Sequence, residues 1–77
     1  MKDLKGKYVN CKTVEQSEAL MKEAEKQGFT PVTPCRVHFF GENTVYNFNR
    51  LNKEVVYASK HFYMSAGKNI VKFEDLL

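Results

Sequence analysis

The chain has 77 residues, room for one hydrophobic core and no second domain. Hydrophobic residues make up 43% and charged residues 27%, ordinary globular usage that argues against a disordered segment, and no stretch approaches the roughly 18 apolar residues of a membrane span. The net charge is +3, with 12 Lys and Arg interspersed among 9 Asp and Glu, so charge balance alone does not point to nucleic acid.

Two cysteines are too few for a disulfide scaffold. The polar stretch from Met1 to Lys7 lacks the apolar run of a signal peptide, and cytoplasm is the expected compartment. A domain this small buries only about 60% of the surface its unfolded chain exposes, so a partner or self-association into a homo-oligomer would add to its stability.

In chain order, residues 7–11 alternate and are β-prone, which predicts a first strand. Thr13 and Gln16 form a capping box, and Glu15 and Glu18 place favourable negative charge at a helix start. The helix is predicted over 14–27, burying Ser17, Leu20, Met21 and Ala24, with Gly28 as its left-handed stop and Phe29 folding back. Residues 30–34 carry Pro31 and Pro34 and read as a loop or an irregular edge. A second strand is expected over 35–40, a turn at 41–43, then strands over 44–51 and 54–58 forming a hairpin. Ser59 caps a short helix over 60–66 that Gly67 ends, with Phe62, Tyr63 and Ala66 on one side. A last strand over 69–73 turns Val71 and Phe73 inward, and the Leu76-Leu77 pair is free to pack on a neighbouring molecule.

The order β-α-β-β-β-α-β predicts an α+β fold: a mostly antiparallel sheet with one main helix packed on one face. The far face would then be open or covered by a partner, and function is expected there.

Few residues suggest chemistry. Cys35 and His38 have Cys-x-x-His spacing, and Cys11 and His61 would complete a set of four. On a strand, however, positions three apart face opposite ways, so a half-buried cysteine and a surface histidine is the better reading. No metal or other cofactor is expected. Glu15, Glu18, Glu23 and Glu25 read as a solvated helix face, and no carboxylate shows the pocket setting that general acid–base catalysis needs. The expectation is a binding protein and not an enzyme.

The aromatic residues carry more information. Tyr46 and Phe48 share a strand face with Arg50, Tyr57 follows on the next strand, and Arg36 and His38 lie in the preceding one. Exposed aromatics flanked by cations are how a base or single-stranded nucleic acid is stacked. Against this, one face of the 44–51 strand must be inside, and the alternative face carries Asn47 and Asn49. The alternation therefore favours Tyr46 and Phe48 as core, with Asn47 and Asn49 projecting outward. The candidate ligand-binding residues are Arg36, His38, Tyr46, Asn47, Phe48, Asn49, Arg50 and Tyr57.

Three stretches carry a resemblance: Tyr8-Val9-Asn10-Cys11-Lys12-Thr13-Val14-Glu15-Gln16 with its helix ending at Gln27-Gly28-Phe29; Thr44-Val45-Tyr46-Asn47-Phe48 with Val55-Val56-Tyr57-Ala58-Ser59; and Phe62-Tyr63, Gly67 and Ile70-Val71-Lys72-Phe73-Glu74-Asp75-Leu76. Together they resemble small phage and prophage accessory proteins of Gram-positive bacteria. The chain departs from that pattern at Pro31, Pro34 and Lys68. The resemblance implies a stoichiometric binding role toward a host protein in the host cytoplasm, as an inhibitor or sequestering protein in counter-defence. The other reading is a nucleotide or single-stranded nucleic-acid binder using Tyr46, Phe48, Tyr57, Arg36, Arg50 and Lys53. A nucleotide-sequestering homo-oligomer with sites between subunits would join the two.

Overall fold

A computed structural model describes residues 1–31 and 39–77. Strand β1 (Tyr8–Cys11) leads directly into helix α1 (Val14–Lys26). Thr13 starts the helix: its backbone is extended, and its Oγ1 accepts a hydrogen bond from Gln16 N at 3.1 Å. Gln16 returns the bond one residue outside the usual capping box, its Oε1 accepting from Lys12 N at 2.8 Å. The Gln16 Nε2 donates to Glu74 Oε1 at 2.9 Å, which ties the helix start to the far end of the chain. At the other end Gly28 takes φ 89°, and Phe29 N donates back to Ala24 O at 2.9 Å. That turn puts the Phe29 ring into the core.

The remaining elements are β2 (Thr30–Pro31), β3 (Thr44–Phe48), β4 (Glu54–Ser59), helix α2 (Lys60–Ser65), β5 (Ile70–Lys72) and a 3-10 helix, Phe73–Leu76. Among the described residues the sheet has the order β2-β4-β3-β1-β5. β3 lies antiparallel to both β1 and β4, while the outer pairs, β2 with β4 and β1 with β5, are parallel. The fold is α+β and the sheet mostly antiparallel, with α1 on one face.

Register fixes which side chains meet α1. Val9 pairs with Tyr46, Tyr46 with Tyr57, and Phe48 with Val55, so these share one face. With Leu20 and Ala24 from α1, and Leu4, Cys11, Phe29, Phe73 and Leu76, most of them form the buried core, to which Met21 and Val71 add partly buried surface. Each fully buried Leu or Phe of this kind contributes roughly 1.5–3 kcal/mol. The other face receives Tyr8, Asn10, Val45, Asn47, Val56, Ala58, Ile70 and Lys72.

Several expectations change. Of the strand expected over 35–40, residues 35–38 lie outside the described residues, and Phe39 and Phe40 are not in a strand. The described strand preceding β3 is Thr30–Pro31, at the sheet edge, where a proline's missing N–H costs no ladder bond. It runs parallel to β4, so the described strands do not form a simple meander. The far face is not fully open either. Helix α2 lies across it, with Tyr63 edge-on to Tyr8 at 4.9 Å between ring centroids, and Val45 is fully buried outside the α1 core. Leu76 is buried in its own chain's core and is not available to a neighbour, whereas Leu77 is exposed. Leu4, inside the polar N-terminal stretch, is fully buried, its N–H donating to Gln27 Oε1 at 2.8 Å. The strand predicted over 44–51 stops at Phe48. Asn49 Oδ1 accepts from Leu51 N, Asn52 Oδ1 accepts from Glu54 N, and Lys53 turns the chain at φ 61°.

Candidate binding surface

Only part of the predicted site set converges. Arg36 and His38 lie outside the described residues. Tyr46 and Phe48 are only 2% and 0% exposed beneath α1, so neither ring can stack on a ligand. Tyr57 is on the same side of the sheet but half exposed, its ring 6.4 Å from that of Phe40. Asn47 projects to the far face as the alternation required, its Nδ2 donating to Lys7 O at 3.3 Å. Asn49 and Arg50 follow the strand end.

Asn47, Phe48, Asn49 and Arg50 do come together, with residues that the sequence pattern does not connect to them. They line a concavity of about 250 Å³ with Gly6, Tyr8 and Leu51, between the start of β1 and the end of β3. The Arg50 Nε lies 3.8 Å from where a Cβ on Gly6 would stand, so the side chain extends across this glycine. Gly6 itself has φ 76°, a backbone state that suits glycine.

Tyr8 connects this notch to α2. Its ring meets Tyr63, Tyr63 meets Phe62 at 5.4 Å, and Lys68 Nζ lies 5.8 Å from the centre of the Tyr8 ring. Ser59 holds the start of α2, its Oγ accepting from Phe62 N at 3.1 Å. The six-residue helix buries Tyr63 and leaves Phe62 and Met64 64% and 57% exposed, with Val56 of the far face partly exposed as well.

Acidic residues are unevenly placed along the chain. From Val55 to Phe73 the chain carries Lys60, Lys68 and Lys72 and no acidic residue. Exposed Glu15, Glu18, Glu25, Glu74 and Asp75 belong to α1 and the 3-10 helix, and exposed Glu54 starts β4 on the same face as Val56. The exposed aromatic and thioether side chains of α2 are thus surrounded in sequence by cations only. That 19-residue gap in acidic residues was visible in the sequence and was the signal that could have found this surface.

The buried polar groups under α1 are not reactive ones. Burial pushes the Cys11 thiol up to about 11 and the Tyr46 phenol up to about 12, in each case partly offset by the nearby Ser17 hydroxyl. Ser17 Oγ is itself buried without a well-formed hydrogen bond among the described residues. A thiol held neutral in this way is a poor nucleophile. His61 is on the outside of α2, and no three His, Cys, Asp or Glu among the described residues gather as a metal site. Among the same residues no helix is long and apolar enough to cross a membrane.

Comparison with models of known protein families, with curated proteins and with solved structures finds no match to the chain.

Proposed function

We propose that this chain is a small binding protein that acts stoichiometrically, without catalysis, on an acidic partner protein docked against α2 and the adjoining far face of the sheet. The observation that carries the reading is the exposure of Phe62 and Met64 on a segment whose only charges are Lys60, Lys68 and Lys72. Apolar side chains supply the area and the surrounding lysines select and steer an acidic surface. A standard interface takes about 800 Å² from each partner, roughly one-sixth of this chain's 4868 Å². The resemblance to phage and prophage accessory proteins supplies the setting: the partner is a host factor, and the outcome its inhibition or sequestration in counter-defence.

The nucleic-acid reading loses its stacking platform with Tyr46 and Phe48 buried, and would have to use Phe62 and the α2 lysines instead. One experiment separates the two. The immobilised protein is exposed to lysate of a Gram-positive bacterium beside a Phe62→Asp, Met64→Asp double variant and a Leu77→Asp control, each checked by circular dichroism. Expected is one acidic protein retained at one-to-one stoichiometry by wild type and control and lost by the double variant. Equal retention by the double variant overturns the surface assignment. Displacement of the protein partner by single-stranded oligonucleotide, with salt-sensitive binding of the oligonucleotide itself, would favour the nucleic-acid reading.

A further inference from the structure

The notch beside Tyr8 has its own chemistry. Among the described residues the Arg50 guanidinium makes no hydrogen bond or ion pair. Asn49 has its Oδ1 occupied by Leu51 N, which leaves its Nδ2 hydrogens to donate. The Tyr8 hydroxyl makes no hydrogen bond among the described residues and supplies one more donor. Leu51, 90% exposed, forms an apolar lip. The lining is therefore rich in donors, carries one positive charge, and offers an apolar edge for a short aliphatic stem.

Three features favour a carboxylate as occupant. A planar guanidinium accepts a carboxylate through two parallel N–H bonds, and one guanidinium balances one negative charge. A phosphate monoester, with nearly two charges at neutral pH, would be matched by only one. The volume, about 250 Å³, admits a carboxyl group on one or two methylenes together with the backbone that carries it, and falls below the roughly 300 Å³ at which sites that enclose whole small-molecule ligands begin. Continuity points to the source. Tyr8 belongs both to the notch and to the ring contacts reaching Phe62, so a chain crossing α2 would meet the notch next.

We infer that the notch formed by Arg50, Asn49, Tyr8 and Leu51 receives an Asp or Glu carboxylate from an acidic segment of the partner protein, whose neighbouring apolar side chain lies against Phe62. The inference rests on the docking surface proposed above.

The test is a two-dimensional NMR titration of the labelled protein with the peptide acetyl-Gly-Glu-Phe-Glu-Gly-amide. Its Gln-for-Glu counterpart, inorganic phosphate and adenosine monophosphate serve as separate arms. The Glu peptide is expected to shift the Arg50 Nε–Hε, Asn49 side-chain and Tyr8 ring signals saturably, and the Gln peptide to bind about tenfold more weakly for want of charge-assisted bonds. Arg50→Gln should abolish the notch shifts and leave the rest of the spectrum in place, and Arg50→Lys should restore them only in part. Equal binding of the two peptides, persistence of the shifts in Arg50→Gln, or silence of the notch overturns the inference. Saturation by phosphate or the nucleotide below the peptide concentration would reassign the notch to phosphate. Notch shifts without movement at Phe62 and Met64 would support the carboxylate site and count against the docking surface. The reverse pattern would overturn the carboxylate site and leave the docking surface standing.

Discussion

Phe48→Ala separates a core role from a binding role for the strand the sequence singled out. Phe48 is fully buried in the main cluster, and its ring meets that of Phe29 edge-on at 5.3 Å and 74°. Truncating a core phenylalanine to alanine costs about 3–5 kcal/mol, which includes the lost transfer energy, the cavity left behind and the broken aromatic pair. At roughly 0.05–0.15 kcal/mol per residue, a chain of 77 residues has about 4–12 kcal/mol in all. The variant therefore loses about a quarter of its stability at the least and all of it at the most, with a melting shift of several degrees for each kcal/mol. Phe48→Leu keeps much of the volume and should cost about 1 kcal/mol, which keeps the measurement within range. Urea unfolding followed by far-ultraviolet circular dichroism reads both, and tyrosine emission serves as a second probe because there is no tryptophan. A Phe48→Ala protein within 0.5 kcal/mol of wild type would refute the core assignment and reopen stacking on this residue.

Thr13→Ala removes the N-cap oxygen from Gln16 N and should cost about 1 kcal/mol in the same urea assay. Phe62→Asp removes an exposed ring and should shift stability by no more than about 0.5 kcal/mol, in contrast with any loss of partner binding. Stability should also fall in alkali. Cys11 is raised from 9.0 to about 11 and Tyr46 from 10.0 to about 12, so the unfolded chain releases these protons first. Their contribution is complete below about pH 9 and is lost as pH rises towards 12. Urea midpoints measured from pH 8 to 11 should decline, and Cys11→Ala should delay the onset by about one pH unit towards the tyrosine range. A flat profile in the wild type would contradict the burial of both groups.

The helix was legible because its signals are local. The Thr13 and Gln16 cap, the Ser17, Leu20 and Ala24 stripe and the Gly28 stop fix α1 to within one residue of the prediction. The β3–β4 hairpin was legible in pairing, but not in length: Asn49 and Asn52 divert backbone bonds into turns that periodicity does not detect. Which face of β3 is inside followed from Asn47, since an amide is less costly at the far face than under α1. Parallel pairing at both edges was not legible, because it depends on contacts between residues far apart, such as Val9 with Val71. Nor was Leu4, a single apolar residue in a polar stretch that Gln27 anchors from the end of α1. The notch was half legible: Asn47, Phe48, Asn49 and Arg50 belong to the predicted site, but Gly6 and Tyr8 join them only through the β1–β3 register.

The pairing of β5 beside β1 bears on how the protein is made. The first strand takes its place between β3 and β5, Lys2 N donates to Leu76 O at 2.9 Å, and Phe73 and Leu76 complete the core. During synthesis, α1 and the β3–β4 hairpin can emerge and form while one flank of β1 has no partner. The sheet closes only once residues 70–76 have been made, and until then the open flank of β1 is exposed to proteases and chaperones.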